Sequence, residues 1–140
     1  MLLLAVMDPA RRSRTGSDVR LLFALSSDDP PQTWPPGEGS RLKPLGRGRD
    51  PVFSSDGSWI VYSARVGNGW RLRRMRAEGG ARAAVGQLQR DEIQPAISPD
   101  GKLVAYVYEE NRRRRLWVRR IDGSGDRLLL EDGMVERPVW

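Results

Sequence analysis

The chain is 140 residues long, 39% hydrophobic and 30% charged, with a formal net charge of +6, a composition that fits one soluble folded domain. It contains neither cysteine nor histidine, so no disulfide, thiolate metal site, His-metal site or His-dependent triad can form within it. Of its 24 basic residues 22 are arginine, a skew spread along the whole chain as GC-rich coding would spread it, with no need of nucleic acid as a partner.

The opening apolar run, Met1 to Val6, is too short for the core of a secretion signal and lacks a preceding basic flank. Asp8 to Gly16 reads as a polar, Arg-rich loop, and residues 1–16 stay unassigned. Arg20 to Ser26 then matches Trp59 to Arg65 in its apolar run and aromatic, while Leu42 to Gly46 echoes Ala83 to Gly86. Between them Pro30-Pro31 and Pro35-Pro36 forbid a central strand. Residues 17–49 are therefore read as a degenerate or partial unit of the repeat that follows.

From Asp50 the chain becomes regular. Asp50 to Ser63 returns 44 residues later as Gln94 to Val107, with Pro51 on Pro95, Ser54 on Ser98, Asp56 on Asp100, Gly57 on Gly101 and Tyr62 on Tyr106. The same offset carries Leu72 onto Leu116, Arg76 onto Arg120 and Gly79 onto Gly123. A period in the low forties suits either four-stranded propeller blades or paired-helix repeats. Local chemistry decides for strands. Each copy sets Asp-Gly between two short apolar, β-branched or aromatic runs, the strongest hairpin signal. Neither copy holds two unbroken stretches of helical period. Strands are expected near 51–54, 59–64, 70–75 and 81–85, and again near 95–98, 103–108, 116–121 and 127–130. The units are 50–93 and 94–137, and Pro138-Val139-Trp140 repeats Pro51-Val52-Phe53 as the start of a truncated further one. The fold class is all-β: an incomplete propeller of about two full four-stranded blades plus the degenerate N-terminal one.

These residues resemble the TolB-type propeller repeat, a WD-like blade motif. It appears as Pro51-Val52-Phe53-Ser54-Ser55-Asp56-Gly57 and Pro95-Ala96-Ile97-Ser98-Pro99-Asp100-Gly101, with a third-strand signature Leu116-Trp117-Val118 running to Asp122-Gly123. Ser55 replaces the motif proline, Ile97 an aromatic, and Glu78 the Asp before Gly79. The resemblance implies a non-catalytic platform binding a protein or peptide partner, with a bacterial periplasmic or envelope location. It also admits the propeller of a prolyl-oligopeptidase-type serine peptidase whose catalytic domain lies outside this chain. The motif residues Pro51, Ser54, Asp56, Gly57, Pro95, Ser98, Asp100 and Gly101 are expected to shape turns, not to form a site.

No catalytic residue, cofactor site or metal site is assigned. No G-x-S-x-G elbow occurs, and the Gly-rich places read as hairpin turns. The acids Asp28-Asp29, Asp91-Glu92 and Glu109-Glu110 read as solvated loop carboxylates. Arg112, Arg113, Arg114 and Arg115 form the densest charge run, expected at a hairpin tip opposite Glu109 and Glu110; a polyanion-binding patch is the functional alternative. Because lone blades leave faces uncovered, further blades are expected from more chain or from self-association.

Overall fold

The computed structural model describes residues 2–8, 21–26, 41–86, 91–131 and 134–140, with side chains from Arg47 onward. Eleven strands and no helix are present among them. Strands β1 (Leu2–Asp8), β2 (Leu21–Ser26) and β3 (Arg41–Arg47) form sheet A in the order β2-β1-β3. Strands β4 (Arg49–Phe53), β5 (Trp59–Val66), β6 (Gly69–Arg76) and β7 (Arg82–Ala84) form sheet B in chain order. Strands β8 (Asp91–Ile97), β9 (Leu103–Glu110), β10 (Arg113–Arg120) and β11 (Arg127–Leu130) repeat that meander as sheet C. Every pairing is antiparallel.

Sheets B and C copy each other in detail. Val52 pairs with Val61 in one and Ala96 with Ala105 in the other. Both first strands break register just before, and there Asp50 (φ 50°) and Gln94 (φ 52°) adopt left-handed backbone ahead of Pro51 and Pro95. A bulge is where a strand tolerates a proline that cannot donate to the ladder. The two bulges touch: Gln94 N donates to Asp50 Oδ2 at 3.3 Å.

Alternation on β5 and β9 places one side of each sheet against its neighbour. Val61, Leu72 and Val85 of sheet B meet Val104, Tyr106 and Tyr108 of sheet C in one core. The opposite side of sheet B carries Ile60, Tyr62, Ala64, Met75 and Ala77 with Phe53. Beyond sheet C, Val107 and Ile93 are covered by Val135. Strand β8 rests on β4, β5 and β6 together, and β4 rests in turn on β2 and β1.

Sheet A departs from the sequence reading in one respect. Leu2–Asp8, expected to lie outside any unit, is its middle strand. An unbroken apolar run has no period-2 alternation and no Asp-Gly turn after it, so nothing in it announced a strand. Pro44 lies on the edge strand β3 beside a register shift, where its missing N–H is harmless. The Arg-rich loop after Asp8 and both proline pairs lie outside the described residues.

Candidate functional site

The motif turns are two copies of one hydrogen-bonded device. Ser54 O accepts from Gly57 N at 2.8 Å, and Ser98 O from Gly101 N at 2.8 Å. Gly57 (φ 68°) and Gly101 (φ 71°) take the left-handed position the reversal requires. The Ser54 hydroxyl donates to Asp56 Oδ1 at 2.5 Å and accepts from Trp59 N at 3.0 Å. The Ser98 hydroxyl donates to Asp100 at 2.6 Å and accepts from Leu103 N at 2.9 Å. The carboxylates also take the Ser58 and Lys102 amides at 3.0 Å. Ser55, in the place of the motif proline, donates to Pro99 O at 2.6 Å and ties successive turns together.

Those bonds favour the charged carboxylate. The Ser54 hydroxyl and then the Ser58 amide and hydroxyl hold Asp56 down to about 2, and Ser98 with the Lys102 amide lowers Asp100. A folded pKa below the unfolded value of about 3.9 gives stability that is present above the unfolded pKa and lost as pH falls through the folded one. Urea denaturation of Asp56→Asn/Asp100→Asn is expected to show a smaller loss of stability between pH 4 and pH 2 than the parent chain. An unchanged acid slope would contradict this.

The arginine run divides. Arg114 Nε lies 2.9 Å from Glu109 Oε2 and its Nη1 2.7 Å from Glu136 Oε1, while Arg115 Nη1 stands 3.8 Å from Glu110 Oε2. Arg112 and Arg113 are exposed at the tip. Glu110 and Arg113 face each other across the two-residue turn Asn111-Arg112, whose φ angles of 51° and 63° give the type I′ twist. Arginine is a poor occupant of the second position, where glycine carries no Cβ penalty. Arg112→Gly is expected to raise the urea midpoint, by up to about 1 kcal/mol of stability.

Sheet B presents two arginine–tryptophan stacks at opposite ends of its central hairpin, β5–β6. Trp59 lies under Arg74 (5.1 Å) and Arg76 (4.0 Å), and Trp70 under Arg49 (5.2 Å) and Arg65 (5.5 Å). These contacts hold four guanidinium planes against aromatic faces.

The largest polar feature is buried, and sequence reasoning missed it. Arg119, fully enclosed, comes from β10 and reaches back into sheet B. Its Nη2 lies 2.6 Å from Glu92 Oε1 and its Nε 2.7 Å from Asp126 Oδ1. Nη1 donates to the carbonyl of Val85, Nη2 also bonds the Tyr106 hydroxyl, and the guanidinium lies over the Tyr106 ring. Tyr106 donates to Asp126 at 2.9 Å, and Glu92 Oε2 accepts Leu72 N at 3.1 Å. Glu92 is therefore a buried inter-sheet acceptor and not a solvated loop acid. Burial pushes its carboxyl up, while Arg119 and the Leu72 amide pull it back; burial also raises Tyr106. Burial opposes the charge on Arg119, but Glu92 and Tyr106 outweigh it. The one available signal was the repeat itself, which puts Met75, Gly48 and Arg82 where sheet C has Arg119, Glu92 and Asp126.

The Arg119–Glu92 pair at the centre of this cluster is closed to solvent, Asp126 at its edge is partly exposed, and the cluster joins sheets B and C. Among the described residues no group of three acidic side chains is placed to hold a metal ion, and no helix is long and apolar enough to cross a membrane.

Comparison with solved structures adds the fold-level assignment. A TolB-designated protein of Agrobacterium tumefaciens superposes with a TM-score of 0.59 at 19% identity, over 81% of this chain and 43% of its own. TolB from Acinetobacter baumannii gives 0.59 at 24% identity, over 91% of this chain and 30% of its own. Sheets B and C are blades of an incomplete β-propeller. The chain spans less than half the length of either neighbour. No family model matches it, and no curated protein matches it.

Proposed function

We propose that this chain supplies blades to a TolB-like β-propeller that binds a protein partner without catalysis, in the periplasm or cell envelope. The propeller likeness supports this reading, together with a sequence that offers neither histidine nor cysteine for chemistry. The motif residues act as turn wiring, and its units are the 44-residue repeats begun in sequence at 50 and 94, folded as β4–β7 and β8–β11. The observation that carries the choice of surface is the tip of sheet C, where Arg112 and Arg113 stand exposed beyond the ion-paired Arg114. It suits an acidic protein surface.

The test is a benzophenone amino acid at Asn111, irradiated in cells. A discrete adduct with an envelope protein is expected, weakened in Arg112→Glu/Arg113→Glu. No adduct, or an adduct indifferent to charge reversal, contradicts the reading. So does a G-x-S-x-G with later Asp and His downstream in the same open reading frame, which would favour the peptidase alternative.

A further inference from the structure

The central hairpins of sheets B and C end side by side. The β5–β6 tip at Gly67-Asn68 and the β9–β10 tip at Asn111-Arg112 lie 44 residues apart in the repeat. The sheets that carry them pack face to face, through Val61 and Leu72 on one and Tyr106 and Tyr108 on the other. Register decides which side chains look into the gap between the tips. Along a strand every second residue shares a side, and residues directly opposite in a ladder share it too. Arg65 is therefore on the side of Val61 and pairs with Trp70. Glu110 is on the side of Tyr108 and pairs with Arg113, while Tyr108 pairs with Arg115. The cleft thus has Arg65 and Trp70 on its sheet B wall, and Glu110, Arg113 and Arg115 on its sheet C wall.

The same repeat positions build the two walls differently. Where sheet C sets Glu109 against Arg114 as an ion pair, sheet B sets Arg65 against Trp70, with the guanidinium 5.5 Å from the ring centroid. That ring is itself fixed. Trp70 N donates to Asp91 Oδ1 at 2.7 Å, and Arg49, bonded to Asp50, closes on the ring at 5.2 Å. Arg65 is therefore held in place over the indole while it stays exposed. Its donors can meet a ligand with little ordering left to do. Across the gap Arg113 is exposed as well. Arg115 Nη1 stands 3.8 Å from Glu110 Oε2, and its Nε is enclosed without an acceptor among the described residues. Three guanidiniums thus share the gap with the carboxylate of Glu110. The acids beside it, Asp50, Asp91 and Glu109, are engaged by Arg49, Trp70 and Arg114.

We infer that this inter-blade cleft seats an acidic segment of the partner protein, with one carboxylate on Arg65, another on Arg113 and the chain between them against Trp70. Facing sheets pack about 10 Å apart, a span that about three extended residues cross. Glu110, set among the arginines, opposes a polyphosphate, whose charge recurs at every step, and leaves room for single, spaced carboxylates. The inference rests on the partner-binding reading and adds what the partner brings: acidic side chains that reach both sheets, not the tip of sheet C alone.

The probe is a fluorescein-labelled octaglutamate peptide, titrated with the purified chain at low salt and followed by anisotropy. Saturable binding is expected. Arg65→Gln should weaken it roughly tenfold and Arg113→Gln likewise, each removing one hydrogen bond to a charged group. Arg127→Gln should leave it nearly unchanged, since Arg127 is equally exposed but pairs with Val118, toward the end of β10 away from the tip. All three side chains are exposed, so the fold is kept. No binding, or an equal loss from Arg127→Gln, overturns the cleft, and so does an eight-nucleotide DNA that binds as tightly. Sensitivity to Arg113→Gln alone also overturns it, while leaving the tip of sheet C as the partner surface. The expected pattern without an Asn111 adduct in cells keeps the cleft and removes the envelope partner.

Discussion

Arg119→Met is expected to lower stability by about 3–5 kcal/mol, the loss typical of stripping one partner from a buried ion pair. Methionine is what the repeat places 44 residues earlier, at Met75, and it keeps much of the apolar stem that packs along Tyr106. Volume is therefore not the issue. Glu92, 1% exposed, would lose its guanidinium partner, and the carbonyl of Val85 and the hydroxyl of Tyr106 would each lose a donor in a buried setting. Asp126, at 27% exposure, retains water and contributes less. Adding Glu92→Leu to Arg119→Met is expected to recover a large share, because it removes the stranded charge. Urea denaturation of the three variants measures this. A loss under about 1 kcal/mol for the single change would mean that the pair is as weak as an exposed one.

Gly86→Ala is expected to be of similar size, about 3 kcal/mol or more, from two independent causes. Gly86 has φ 116°, outside the range side chains accept, and a Cβ there would collide with the Arg119 guanidinium. The neighbouring Gly123 is bound by the same closeness, since its own Cβ would come within 2.7 Å of Gly86 N. The guanidinium cannot move aside without breaking its bonds to Val85 and Glu92. In an Arg119→Met background the collision disappears and only the backbone strain remains. The cost of Gly86→Ala should therefore fall, a coupling of 0.5–3 kcal/mol in a double-mutant cycle, as for other contacting pairs. Strict additivity would refute the contact.

The blades were legible because their signals are local. Asp56-Gly57 and Asp100-Gly101 announce reversals, and the apolar and aromatic runs from Trp59 and from Leu103 announce the strands, which are buried on both sides. The bulges at Asp50 and Gln94 were not read, because their left-handed backbone belongs to residues with no obligatory preference for it. The buried ion cluster was hidden for a different reason. Glu92 is adjacent in sequence to a second acid and Arg119 to a second arginine, so both look like surface charge. Only tertiary placement separates Glu92 from Asp91, whose Oδ1 instead accepts Trp70 N at 2.7 Å near the surface. The arginine run, by contrast, lies where the sequence placed it, at a hairpin tip opposite Glu109 and Glu110, and half of it is held by those acids and Glu136.

The seating of β8 across three strands of the sheet before it has a consequence for synthesis. When that segment leaves the ribosome its landing surface already exists, whereas its own hairpin partners have yet to emerge. Each finished wedge is thus a template for the next, and assembly is expected to run from the amino end outward. A chain truncated after residue 100 should then already resist protease over residues 49–86.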